Sequence, residues 1–208
     1  MRQKPLQLIV CAVFSAVLIL GCGGTRLIKT NVDETHRGTP VTDVLVIVIA
    51  DKKETRELFE GKFVAQLKAA GVEAVSSAAA IPMPKDLKLE KEDILKVIEA
   101  NGNDAVIVTH LTGLDKSESF NRTGRHYGGY YSYNGYVYDS VHDTGFYSGH
   151  VDVRLQTNLY DVKTEKLLWS GESETKDAKS AIKLIDDLLA LVIKELQKNE
   201  LLPVRGKS

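Results

Sequence analysis

Cysteine is scarce in this chain of 208 residues, which has only Cys11 and Cys22. Everything after Cys22 is without a thiol, which excludes disulfides and cysteine nucleophiles from the rest of the chain. A packed core must therefore stabilise the fold. An excess of charge of one sign is also lacking, since 27 Lys and Arg stand against 28 Asp and Glu. A balance so close to neutral gives no electrostatic footprint for binding nucleic acid.

A hydrophobic run near the start is too short for a comfortable membrane span. It extends from Leu8 to Leu20 and is interrupted only by Ser15, whereas a spanning helix needs about 20 residues. Arg2 and Lys4 precede the run and small residues follow it. A short charged start, a short apolar run and small residues are typical of a secretory signal. We therefore predict that residues 1–21 are a signal peptide.

The end of this run, "ILGC", resembles the lipobox of bacterial lipoproteins. The resemblance implies that Cys22 is acylated and becomes the mature amino terminus, and multiple acyl chains give lasting attachment to a membrane. It further implies the outer membrane, because Gly23 rather than Asp follows the cysteine. The expected protein is lipid-anchored and faces the periplasm. An uncleaved signal anchor and a plain secreted protein are the alternatives.

The remaining length suits one domain and a tether. Residues 22–42 lack sustained periodicity and carry turn formers, so we interpret them as the lipidated amino terminus and its tether. Residues 43–200 are predicted to form a single α/β domain with a Tyr/Gly-rich insert at 118–149. Residues 201–208 are predicted to be a loose tail.

Hydrophobic periodicity in this domain predicts the order β-α-β-α-β-(insert)-β-β-α. The predicted elements are strands over 43–50, 72–75 and 104–114, a hairpin over 150–175 turning near 161–166, and helices over about 51–70, 90–100 and 178–199. The early βαβ units imply parallel pairing and the late hairpin implies antiparallel pairing. The fold class is therefore α/β, with a mixed sheet and helices packed on it. Within the hairpin, Asn158 and Tyr160 are predicted on a wet face.

Catalytic motifs are also lacking. There is no G-x-S-x-G, H-E-x-x-H, P-loop or strand-linked G-x-G-x-x-G. His126, His142 and Asp143 have no spacing typical of a metal site, and His110 shares the strand parity of Val106 and Val108. We therefore predict a protein that is not an enzyme, with no cofactor and no metal, and a satisfied sheet histidine at position 110. A hydrolase is a third-ranked alternative.

The segment from His126 to Gly149 contains seven of the eight tyrosines but no Lys or Glu. Asn134-Gly135 favours a two-residue type I′ turn, and the hairpin register then places Tyr131, Tyr133, Tyr136 and Tyr138 on one face. Tyr, Ser, Gly and Asn are also the residues favoured in antibody paratopes. These four tyrosines are the candidate partner-binding residues. The alternative is a flexible loop without a dedicated partner.

The element order and the hairpin "DVKTEKLLW" resemble a group of bacterial envelope lipoproteins. The group includes the curli secretion-channel lipoprotein, the TolB amino-terminal domain and lipoproteins that activate peptidoglycan synthases. The resemblance implies a binding or assembly role without catalysis, and an envelope protein as partner. The alternative function is a subunit of an oligomeric secretion or envelope channel. Partner identity and oligomeric state are left open by the sequence.

Overall fold

A computed structural model describes residues 24–36, 39–81, 89–115, 152–178 and 180–204. In chain order the elements are β1 (Thr25–Val32), β2 (Asp43–Ile49), α1 (Lys53–Ala69), β3 (Glu73–Ser76), α2 (Ser77–Ala80), α3 (Lys91–Asn101), β4 (Ala105–Asp115), β5 (Asp152–Asp161), β6 (Leu167–Thr175) and α4 (Ala181–Lys198). The strands form one mixed sheet in the order β1-β6-β5-β4-β2-β3. The predicted α/β class, with helices on a mixed sheet, is confirmed.

β2 lies between β4 and β3, and it pairs in parallel with both. Its side chains are buried on both faces of the sheet, as its unbroken run of Val, Leu and Ile predicts. Val44, Val46 and Val48 belong to a core that includes buried side chains of α1 and α4, whereas Leu45 and Ile47 pack with those of α3. The sheet therefore has a core on each side of β2.

The residues that begin and end the helices agree only in part with the usual capping residues. Asp51 and Glu54 have the spacing of a capping box, but Lys52 is the N-cap of α1 and makes no side-chain cap bond. A glycine lies just after the end of α1 and another just after the end of α3. Gly71 has φ +87° and Gly102 has φ +73°, a left-handed conformation that glycine adopts without strain.

The prediction of a tether over 22–42 is wrong for its central part. Residues 25–32 form β1, an edge strand that pairs antiparallel with β6 and contains a bulge between Leu27 and Lys29. Only Leu27 and Val32 of this strand pack against the core as partly buried hydrophobic side chains. An edge strand with so few apolar residues has no strong hydrophobic periodicity, and pairing with β6 supplies its backbone hydrogen bonds instead.

The carboxy-terminal prediction is also partly wrong. Leu201 and Leu202 are buried in the core below α4, and the Val41 amide donates to the Leu201 carbonyl at 3.0 Å. An apolar stripe runs along α4, and its last four members are buried: Ile185, Leu189, Val192 and Leu196. Its first member, Ile182, is 54% exposed, because it lies in the first turn of the helix.

The two ends of the sheet are formed by different strand ends. At one end lie the start of β1, the end of β4, the start of β5 and the end of β6, where Thr25 pairs with Thr175 and Asp115 with Asp152. We call this the Thr25 end. The opposite end, the Asp104 end, is closed by the Asp104 carboxylate, which accepts from the Thr42 amide at 2.8 Å and from the Asp43 amide at 3.1 Å.

Candidate functional site

The residues predicted for lipidation and partner binding, and the histidines and aspartate weighed as metal ligands, lie outside the described part of the chain. They are Cys22, Tyr131, Tyr133, Tyr136, Tyr138, His126, His142 and Asp143. The structure nevertheless places the residues that flank them. Thr25, three positions after Cys22, and Asp115 and Asp152, on either side of the insert, all lie at the Thr25 end. The predicted lipid anchor and the predicted aromatic insert are therefore attached at one end of the domain.

A polar surface covers the side of the sheet opposite α1 and α4, across β1, β6 and part of β5. We call it the polar face, and its charged members are Arg26, Lys29, Arg154, Glu172 and Glu174. Cross-strand register places Arg26 and Arg154 beside Glu174, and Lys29 beside Glu172. Alternation puts Arg154 of β5 and Glu172 and Glu174 of β6 on one surface, and the sequence contained the signal for these members. Arg26 and Lys29 are three positions apart and share this surface because of the bulge between Leu27 and Lys29.

Glu174 is the centre of the charge pairing on the polar face. Its Oε2 accepts from Arg26 Nη2 at 2.8 Å, and its Oε1 accepts from Arg154 Nε at 3.4 Å. The hydrogen bond from Arg26, with the nearby charge of Lys176, lowers the pKa of Glu174, whereas burial acts in the opposite direction. The carboxylate is therefore ionised and held between strands β1 and β5.

A row of amide and phenol groups continues the polar face along β5. Gln156 Nε2 donates to Asn158 Oδ1 at 2.9 Å, and Asn158 Nδ2 donates to the Tyr160 hydroxyl at 3.1 Å. The prediction that Asn158 and Tyr160 face water is wrong, because both are buried. Tyr160 packs into the α3-side core, and this burial raises its pKa. The hydroxyl is a neutral hydrogen-bonding group.

His110 lies on the same side of the sheet, in β4, where it pairs in register with Gln156. It is buried, and burial lowers its pKa from 6.5 to about 3. The imidazole is therefore neutral at neutral pH. This burial is in line with its expected position on the parity of Val106 and Val108.

A second polar cluster, which the sequence reasoning missed, is buried between α1, β2 and α2. Glu60 Oε1 accepts from the Val48 amide at 2.9 Å, from Arg56 Nε at 3.0 Å and from Ser77 Oγ at 2.8 Å. Its Oε2 accepts from Ser76 Oγ and the Ala78 amide, both at 2.6 Å. We call these residues the Glu60 cluster. Arg56, Glu60 and Ser77 are all buried.

The position of the Glu60 cluster explains its composition. β3 ends at Ser76, beside Val46 of β2, so the backbone of Val48 extends past the end of β3. The Glu60 carboxylate bonds with that backbone and with the start of α2. Arg56 and Glu60 lie on the helical stripe of Phe59 and Phe63, at the spacing that faces the core. That spacing was the signal in the sequence for their burial.

No protein-family model matches this chain, and no curated protein matches it. Solved structures of similar arrangement do exist. They include the PelC dodecamer from Paraburkholderia phytofirmans (14% identity, TM-score 0.46, 85% of this chain and 98% of that one). Another is lipoprotein GNA1162 from Neisseria meningitidis (18%, 0.39, 76% and 99%). At such identities and scores the likeness supports no argument about function or assembly.

Among the described residues, no three His, Cys, Asp or Glu side chains are grouped so that they could hold a metal ion. The carboxylates of Glu60 and Glu174 are engaged by arginines and other donors of the protein itself. None of the helices in the described ranges is long and apolar enough to cross a membrane.

Proposed function

We propose that this protein is a non-catalytic, lipid-anchored binding or assembly module of the bacterial envelope. The observation that carries the proposal is the closeness of Cys22 to the folded domain. The lipobox-like "ILGC" ends at Cys22, and β1 begins at Thr25. Acylation of Cys22 would attach the domain to the outer membrane on its periplasmic side, with almost no tether between lipid and sheet.

The polar clusters of the domain support a binding role over an enzymatic one. The Glu60 cluster satisfies its own charges, and Glu174 is paired with Arg26 and Arg154. Groups engaged in this way hold structure together and are poorly placed to attack a substrate. Tyr131, Tyr133, Tyr136 and Tyr138 are proposed to supply the contact surface for an envelope protein.

The anchor is tested by replacing each cysteine separately. Cys22→Ser should abolish the acyl-modified amino-terminal peptide in mass spectrometry. Cys11→Ser is the matched control and should keep that peptide, because the other cysteine of the chain lies inside the predicted signal. An unmodified Cys22 in the unaltered protein would overturn the lipoprotein assignment.

The contact surface is tested by converting the four tyrosines to serine together and crosslinking the protein in cells. We expect loss of the crosslinked partner band with normal membrane attachment. An unchanged crosslinking profile would remove the tyrosines from the proposal.

A second candidate is a subunit of an oligomeric envelope channel. It is favoured by β1, an eight-residue edge strand whose pairing in the described part of the sheet is with β6 alone. An open edge can accept a strand from another chain. A monomeric mass for the detergent-extracted protein would rule this function out.

A further inference from the structure

We infer that the Thr25 end of the domain lies against the membrane, with the first turn of α4 near it and the carboxyl end of α4 directed away from it. This inference rests on the proposed acylation of Cys22 and adds the orientation of the domain on its lipid surface. The partner is a bilayer, and the contact is made by the strand ends and by apolar side chains near them.

The first step is the length of chain between lipid and fold. Two residues, Gly23 and Gly24, separate Cys22 from Thr25, and each of the three residue steps of an extended chain spans at most about 3.6 Å. Thr25 therefore lies within about 11 Å of the acylated residue. Thr25 is already part of the sheet, because it pairs with Thr175 and their hydroxyl oxygens lie 2.8 Å apart. The anchor cannot move away from this end of the sheet.

The second step is the position of the apolar side chains that the domain exposes. Ile28 lies three residues after Thr25, and Ile182 lies in the first turn of α4, which follows the end of β6. α1 and α4 both run from this side toward the Asp104 end, and Lys62 Nζ bonds Asp186 Oδ1 at 2.8 Å. Leu58 and Ile182 each precede that bridge by one turn, so both lie on its Thr25 side.

Val204 is the other large apolar side chain that is exposed among the described residues, and it provides a matched control. It follows the turn in which the Leu201 carbonyl accepts from Val41, just before the start of β2. The start of β2 belongs to the Asp104 end. A ten-residue strand such as β5 is about 30 Å long, so Val204 lies roughly a sheet length from the anchor. Its exposed fraction, 48%, is close to the 54% of Ile182.

The test measures the depth of these two positions in vesicles. The full lipidated chain carrying Ile182→Cys or Val204→Cys is labelled with a fluorophore and reconstituted into phosphatidylethanolamine and phosphatidylglycerol vesicles that contain nitroxide-headgroup lipid. With Cys22 acylated, the introduced thiol is unique in the mature chain. We expect several-fold stronger quenching at position 182 than at position 204. Equal quenching, or stronger quenching at 204, would overturn the orientation.

Two further measurements separate the possible failures. Mass spectrometry of the amino-terminal peptide shows whether Cys22 is acylated, and an unmodified Cys22 refutes both the proposed function and the orientation. An acylated protein with the wrong quenching pattern refutes the orientation alone. A twelve-residue Gly/Ser insertion between Gly24 and Thr25 adds a flexible span of about 20 Å. It should reduce quenching at 182 toward the value at 204, and unchanged quenching would contradict the short anchor as its cause.

Discussion

Gly171 owes its identity to the side chain of Trp169, two residues earlier on the same face of β6. The indole is fully buried and lies across the glycine, so that a Cβ there would lie 2.2 Å from Trp169 Cη2 and 2.6 Å from Cζ2. Such contacts cannot be accommodated without moving the ring. The closing strand of the hairpin thus uses a glycine, normally a weak strand residue, to seat the only tryptophan of the chain.

We expect Gly171→Ala to lower the free energy of unfolding by about 1–3 kcal/mol, the usual cost of overpacking a core. Denaturant unfolding followed by Trp169 fluorescence measures it. Gly61→Ala is the matched control, because a Cβ at Gly61 meets nothing within 4 Å. That position is inside α1, where alanine is favoured over glycine by roughly 0.5–1 kcal/mol. Equal effects of the two substitutions would contradict the seating of Trp169 on Gly171.

His110 predicts a pH dependence of stability. Burial lowers its pKa from 6.5 to about 3, so between these values the unfolded chain binds a proton that the folded chain does not. Stability is therefore full above about pH 6.5 and falls as the pH decreases toward 3, by about 1.4 kcal/mol per pH unit. His110→Gln should flatten this slope in urea titrations between pH 4 and 7. His36→Gln should keep it, and an unchanged slope in His110→Gln would contradict the prediction.

At the scale of elements, predictability followed hydrophobic periodicity. The buried run of β2, the stripe of α3 at Ile94, Val97 and Ile98, and the hairpin of β5 and β6 all have strong patterns, and the structure has these elements where the patterns indicate them. β1 has a weak pattern because it is an edge strand with a solvated surface. It is a strand through its pairing with β6, and such a long-range partner cannot be read from local sequence.

The Glu60 cluster likewise has members that the sequence pattern could have predicted and members that it could not. Spacing alone could have identified Arg56 and Glu60 as core-facing, since they share a stripe with Phe59 and Phe63. The partners of Glu60 could not have been identified, because Val48 and Ser77 are brought to it by tertiary packing over 12 and 17 positions. A buried carboxylate has five donors here only because α1, β2 and α2 meet at one point.

Glu60→Leu should destabilise the fold by about 3–5 kcal/mol, because it leaves the buried Arg56 guanidinium without its carboxylate and removes an acceptor from the Val48 amide. Urea unfolding measures the loss. Glu57→Leu is the matched control on the same helix, where the side chain is 48% exposed and its pair with Lys53 is 3.5 Å long. An exposed pair of this kind contributes about 0–1 kcal/mol.

Similar losses in the two variants would show that Glu60 contributes no more than a surface charge. A double variant, Arg56→Leu with Glu60→Leu, tests the pairing itself. Replacing both charges with apolar groups is expected to recover part of the loss, because the cost of a single substitution comes largely from the unpaired partner. No recovery would indicate that the backbone bonds to Val48 and Ala78 dominate.

For the whole molecule, the fold brings the start of β1 and the two ends of the Tyr/Gly-rich segment to the same end of the sheet, although they are far apart in sequence. Residue 25 starts β1, and residues 115 and 152 flank the Tyr/Gly-rich segment, yet all three lie at the Thr25 end. If the lipid holds that end at the membrane, the segment leaves and re-enters the domain on the membrane side. A partner that binds the four tyrosines would then be met near the membrane surface, which favours a membrane-associated envelope protein over a freely diffusing one.

The described domain should fold without residues 116–151. Asp115 and Asp152 pair directly in the antiparallel β4–β5 ladder, so an Asn-Gly pair between them would close a two-residue hairpin of the favoured type. The shorter connection lowers the entropy cost of closure by roughly 2 kcal/mol. We therefore expect the shortened chain to keep the circular dichroism signal of the sheet and the helices. Its melting temperature should equal or exceed that of the full chain.

Membrane attachment should persist in the shortened chain, because Cys22 is retained, while the crosslinked partner should be lost. Failure of the shortened chain to fold would show that residues 116–151 complete the core.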